Sequence, residues 1–194
     1  MLARIGWLLW WVGLAAYFGA MAFLPTVASS VFATVRRTGV GLPGTPEWLK
    51  ATDQLGGEIF GDVLVRFSGL QFIFLGLMFV GLVFWFIAPA TRTRRSTLIK
   101  ALLVIVLTGV ACYDALVLMP DVMQTRTQMR ARQDAETKTR FDTLHQRSTR
   151  VGQVKLGVLL AAVVVSALSQ TGVGHRRVGT GHDMSPMLKD RHAA

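Results

Sequence analysis

The sequence predicts an all-α integral membrane protein, a four-helix bundle with an amphipathic helical extension ahead of its last transmembrane helix. Four apolar stretches, roughly Ile5–Leu24, Leu64–Ala88, Leu98–Met119 and Val151–Leu168, are each long enough to cross a bilayer. A hydrocarbon core of ~30 Å needs ~20 mostly apolar helical residues. Charged residues make up only 16% of the 194 positions, against 52% hydrophobic; a soluble domain carries about a quarter charged residues. Inside lipid, backbone polar groups must be satisfied within the segment, so each stretch reads as a helix.

The first stretch follows a short basic start at Arg4 and carries Trp7, Trp10, Trp11 and Tyr17, which suit an interfacial anchor. Its ~20 apolar residues exceed the core of a signal peptide, so it reads as a retained helix. It ends near Pro25 or continues as an amphipathic extension through Val35, with Arg36 and Arg37 stopping it. Gly39 to Pro46 reads as a loop, and Thr45-Pro46 as an N-cap and first helical residue. Around Gly56-Gly57 the chain enters the second long helix, where Glu58, Asp62 and Arg66 recur every four residues on one face. That helix ends near Pro89, before a short acid-free connection holding Arg92, Arg94 and Arg95. The third helix ends at Met119-Pro120. Asp121–Arg150 is polar and lacks Gly and Pro, so it reads as an exposed helix leading into the fourth. One membrane domain, 1–169, is expected, because no second block is long enough for its own core. The remainder, 170–194, reads as a flexible basic tail.

The net charge of +10 would point to nucleic acid in a soluble chain. Here the cations are split among several loops, and the expected partners are the lipid bilayer and its anionic headgroups, not nucleic acid. A homo-oligomer or another membrane protein is the other partner class. The single cysteine, Cys112, forms no internal disulfide and reads as a small core residue. With four crossings both termini share a face. Nine cations fall on that face and twelve on the other, but the short Arg92–Arg95 connection is the cleaner determinant. The expected location is the cell inner membrane, with both termini cytoplasmic.

Topology gathers polar residues at one membrane face whichever way the chain sits. There the second helix begins, the third ends and the fourth begins. Asp114 lies about five residues, roughly 8 Å, inside the boundary. A charge at that depth costs ~2–3 kcal/mol unless paired or solvated. Asp114 is therefore expected to face the bundle and pair with Lys155 or Arg66. His145 precedes the fourth helix, on the face predicted to carry Lys155. The ligand-binding candidates are Glu58, Asp62, Arg66, Asp114, His145 and Lys155.

No catalytic residue, metal site or cofactor is expected. The chain has no P-loop, G-x-S-x-G, H-E-x-x-H or G-x-G-x-x-G motif. One histidine near the bundle is a poor metal site, and the methionines form no M-x-x-M or M-x-M cluster. Gly6, Gly13 and Ala20 line the first helix at heptad spacing, and Gly157 with Ala161 forms a small-x-x-x-small pair. Both sets read as internal packing faces.

Two segments resemble a known group. Leu55-Gly56-Gly57-Glu58-Ile59-Phe60-Gly61-Asp62 looks like the "aGe(i/l)-x-G-x-(l/i)F" start of the second helix in bacterial proteins of domain-of-unknown-function family 4149. That group is similar to transmembrane protein 205-like proteins. Phe141-Asp142-Thr143-Leu144-His145-Gln146-Arg147-Ser148 looks like its F-x-x-L-H-x-x-S element. Pro25, Tyr113 and Pro120 also fit its layout, and the resemblance covers about residues 5–168. The chain departs from the pattern where Phe60 directly follows Ile59, and at Arg150-Val151, where an Asn-like position is expected. The resemblance implies four helices and a membrane location, and no established reaction.

Three functions compete. The first is a transporter-like or ligand- and ion-binding protein with a polar vestibule. The second is a structural or assembly partner whose polar residues hold the bundle together. The third is a metal- or heme-dependent redox protein. A water-accessible cavity reaching Asp114 favours the first, and a dry, direct Asp114–Lys155 pair favours the second.

Overall fold

The computed structural model describes residues 1–40, 51–87, 94–132 and 135–171. Among them all secondary structure is helical: α1 (Leu2–Thr38), α2 (Ala51–Ile87), α3 (Arg94–Tyr113), a π-helical segment (Asp114–Leu118), α4 (Met119–Arg132) and α5 (Ala135–Thr171). The loop expected around Thr45-Pro46, the Arg92 connection and most of the tail, including His175, His182 and His192, lie outside the described residues.

Four helices are long and apolar enough to cross a membrane: α1, α2, α3 continued through the π segment into α4, and α5. α1 packs chiefly on α2 and also on α5, while α3 packs on α2 and α5. The four therefore form a square, with α1 diagonal to α3 and α2 diagonal to α5. At its centre Trp10, Leu14, Tyr17, Leu75, Met78, Leu82, Val104, Leu107, Ala111, Leu159 and Ala162 make one buried cluster. The outside is as apolar as the inside. Ile105 is 68% exposed, Leu116 72% and Phe79 61%. A soluble monomer rarely carries so continuous an apolar surface.

Small residues set the closest approach. A methyl group on Gly6 would meet the Gly81 carbonyl oxygen at 2.8 Å, and one on Gly13 the Phe74 carbonyl oxygen at 2.8 Å. These glycines let the α1 and α2 backbones touch, as heptad spacing on α1 predicts. Gly157 behaves otherwise. Nothing lies within 4 Å of a methyl group placed there, and Ala161 is exposed, so this small pair faces outward rather than into the bundle.

α1, α2 and α5 each have 37 residues. That is ~55 Å of helix, well beyond a ~30 Å hydrocarbon core. α1 keeps Pro25 inside it and continues to Thr38, taking the longer of the two courses open to it. Gly39 stops it in the left-handed conformation (φ 67°), its N–H bonding the Val35 carbonyl at 3.2 Å. Arg36 and Arg37 occupy the last turn, where cations offset the helix dipole.

The expectation of one exposed helix over Asp121–Arg150 is corrected. The third helix does not stop at Pro120. A π turn absorbs the proline, with the Met119 N–H bonding the Asp114 carbonyl five residues back. Proline lacks an N–H and crowds the carbonyl four residues earlier, and a widened turn relieves both problems. The chain runs on to Arg132 and then returns as α5, against which α4 packs. The physical reason is geometric. A single 30-residue rod would carry the chain ~45 Å away from the face where the fourth helix must start, so a hairpin is needed.

Candidate polar centre of the bundle

The centre is built around Gln71, beyond which α2 carries no charged, amide or hydroxyl side chain as far as Ile87. Its side chain is fully buried, and a buried amide without partners is costly. The Gln71 Oε1 accepts two hydrogen bonds, one from the Tyr17 hydroxyl at 3.0 Å and one from the Lys155 Nζ at 2.9 Å. Lys155 also donates to the Asp114 carboxylate in a direct ion pair. One chain of contacts, Tyr17–Gln71–Lys155–Asp114, thus links α1, α2, α5 and the π segment. Gln71 to Lys155 is the diagonal of the square.

The charges balance locally. The Lys155 side chain is 3% exposed and that of Asp114 14%. An isolated ammonium in so dry a place would cost several kcal/mol, and the adjoining carboxylate and amide oxygen offset that cost. The Gln71 orientation is dictated by Lys155, which has only protons to offer, so the oxygen must face it. The consequence is that Gln71 Nε2, equally buried, has no hydrogen-bond partner.

A second polar locus lies toward the end of the bundle where α1 begins and α5 ends. Trp10 donates its indole N–H to the Ser166 hydroxyl at 2.9 Å. Lys100, near the start of α3, is 2% exposed. It donates to the Ser169 hydroxyl at 3.0 Å, and its ammonium stands 4.5 Å from the Trp85 ring centre. Trp10 and Tyr17, read as lipid-interface anchors, face the core; Trp7 is the exposed one at 41%.

The remaining candidates lie toward the opposite face, Arg66 at the start of its apolar stretch and Glu58, Asp62 and His145 beyond theirs. Glu58 forms an ion pair with Arg126 of α4 at 3.0 Å. The Arg126 guanidinium lies over Gly61, where an added methyl group would run into its Nη1. Gly56 similarly makes room for the Phe32 ring of α1. Arg36 and Asp53 join the end of α1 to the start of α2 at 2.7 Å. Asp62 and Arg66 are exposed. His145 is exposed too, its ring stacked on Phe141 with centroids 6.1 Å apart. Lys155, ten residues on, is buried. The structure therefore brings Asp114 and Lys155 together and sets Glu58 in a separate pair. It leaves Asp62, Arg66 and His145 at the surface.

Sequence reasoning missed Gln71 and misread Tyr17. Gln71 carries no charge and sits in an apolar run, so it raised no flag. The usable signal was depth, because a lone amide in a membrane-length stretch needs partners, and Asp114 and Lys155 lie at a comparable distance from the same face. Among the described residues no group of three or more His, Cys, Asp or Glu side chains is placed to hold a metal ion. Comparison of the chain with protein-family models, curated proteins and solved structures finds no match.

Proposed function

We propose that this chain is a multi-pass integral membrane protein that acts as a structural or assembly partner in a bacterial-type inner membrane, with both termini cytoplasmic. The observation that carries the reading is the direct Asp114–Lys155 pair, buried with Gln71 and Tyr17. One groove on the outside of the bundle is lined by Gly109, Val110, Tyr113, Arg150, Val151 and Val154, and neither Asp114 nor Lys155 borders it. A dry pair in contact fixes helix register more readily than it exchanges a ligand. The resemblance to the family 4149 layout supports the same membrane setting.

A transporter-like or ligand-binding role is the second reading, and one observation favours it. Gln71 Nε2 is a buried donor without an acceptor, next to a π turn, and π turns recur at functional sites. Two experiments separate the possibilities. Membranes washed at alkaline pH retain an integral protein and release a peripheral one. Thermal unfolding of Asp114→Asn and His145→Ala, with and without a panel of metal ions and lipids, then tests the role. Large destabilisation by Asp114→Asn with no ligand-dependent shift supports the structural role. A ligand-dependent shift in the wild type that Asp114→Asn abolishes supports the binding role.

A further inference from the structure

The groove on the lipid-facing side of α3 and α5 is a second place where chemistry and shape coincide. Its volume is about 300 Å³. Gly109 forms part of its floor, and nothing lies within 4 Å of a methyl group placed there, so the missing side chain leaves open space. The walls are Val110 and Tyr113 on α3, with Val151 and Val154 on α5. Tyr113 is 45% exposed and Val154 52%.

The groove has a direction. Asp114 pairs with Lys155, so the neighbouring Tyr113 and Val154 lie at one level. Val110 and Gly109 lie a turn deeper along the apolar stretch of α3. Arg150 lies a turn shallower, immediately before the apolar stretch of α5 begins. The groove therefore runs about two turns, ~11 Å, from the level of Arg150 to the level of Gly109.

A second cation stands near the shallow end of the groove. Arg147 is one turn away on the same α5 face, and both side chains are exposed. No acidic residue lies within four positions of either on α5. Among the described residues neither takes part in an ion pair.

We infer that this groove is a binding site for one anionic phospholipid, its phosphate on Arg147 and Arg150 and an acyl chain along Val151, Val154, Val110 and Gly109. The inference rests on the membrane reading above. Charge complementarity selects the occupant. A zwitterionic lipid would bring a choline cation beside its phosphate and so no net counter-charge for Arg147 and Arg150, and an apolar helix from another chain would bring none at all. Basic pockets between membrane helices recognise anionic headgroups by this logic.

Native mass spectrometry of the full chain in mild detergent tests the site, with phosphatidylglycerol and phosphatidylcholine of matched acyl chains as probes. The wild type is expected to retain one phosphatidylglycerol in preference to phosphatidylcholine. The double substitution Arg147→Gln/Arg150→Gln should weaken that retention roughly thirtyfold. Gly109→Trp, which fills the groove with both arginines intact, should weaken it as well. Helicity by circular dichroism confirms that each variant is folded. Equal retention of the two lipids by the wild type overturns the proposal. So does undiminished phosphatidylglycerol binding in Gly109→Trp, which would mark surface charge alone. A dimer that Gly109→Trp dissociates without altering lipid retention would assign the groove to a second copy of the chain and overturn it too. Failure of the membrane reading is distinct, because the chain would then leave the membrane in the alkaline wash.

Discussion

Lys155 illustrates how much one side chain can demand of its neighbours. Its ammonium sits within the apolar stretch of α5 and touches two oxygens from two other segments. Removing one partner of such a pair strands the other, at a cost of about 3 kcal/mol or more. Lys155→Met is therefore expected to lower stability by about that amount in a detergent unfolding titration. The double variant Asp114→Leu/Lys155→Met, which strands nothing, should recover most of the loss, to within about 1 kcal/mol of wild type. A double variant no more stable than Lys155→Met would show that the charges contribute more than their mutual neutralisation. Trp10 carries a smaller version of the same constraint. Trp10→Phe removes the donor to Ser166 but keeps most of the ring, and a cost of about 1 kcal/mol is expected from the lost bond and reduced contact. Asp114 and Lys155 were legible at this scale because charge inside an apolar run stands out in a linear text. Gln71 was not, since neutrality hides a polar group whose importance comes only from burial.

At the scale of elements, glycine positions divide into those that meet another helix and those that do not. Gly81 faces the Gly6 carbonyl and the Trp10 backbone N–H, each at 2.8 Å from where a methyl group would stand. A larger side chain there must push two backbones apart. Gly81→Leu should cost about 2–3 kcal/mol, while Gly157→Ala, in open space, should stay within about 1 kcal/mol of wild type. Comparing the two melting temperatures checks the α1–α2 crossing directly. The glycines near the start of α2 work through side chains instead. At Gly56 the obstacle is the Phe32 ring, at 2.7 Å from an added methyl group. Gly56→Ala should destabilise the chain, and adding Phe32→Ala should reduce the penalty of the alanine rather than add to it. A double-mutant cycle that shows simple additivity would place the ring elsewhere. The Leu55–Asp62 motif was thus visible as a glycine-rich pattern. Its cause was not, because Phe32 and Arg126 come from distant parts of the chain.

Across the whole molecule the helices are lopsided. α1, α2 and α5 all extend beyond their apolar stretches at the same end of the bundle, and α4 lies there too. That end holds the Arg36–Asp53 and Glu58–Arg126 pairs, so it is a helical platform continuous with the four membrane-length helices. In the proposed orientation it faces away from the cytoplasm. A C-terminal fluorescent or phosphatase fusion tests this: cytoplasmic fluorescence without phosphatase activity is expected. Replacing Arg92, Arg94 and Arg95 with glutamine should raise the fraction of inverted molecules. An active phosphatase fusion in the wild type would reverse the orientation.

The helical type of the fold and the presence of four membrane-length helices were determined by the sequence alone. Apolar stretches of membrane length permit one backbone solution, and an even number of them brings the start of α1 and the end of α5 to one end of the bundle. The depth of Asp114 likewise demanded a partner whatever the fold. Tertiary structure alone decided which partner it took, that Gln71 and Tyr17 complete the chain of contacts, and that His145, Asp62 and Arg66 stay outside it. The reason is rotational. Position along a helix is written in residue number and can be read to within a turn, whereas the direction a side chain points depends on how each helix is rotated against its neighbours. That rotation is set by contacts such as Gly6 on Gly81 and by the π turn before Pro120, both of which join residues or register changes that no single stretch of sequence displays.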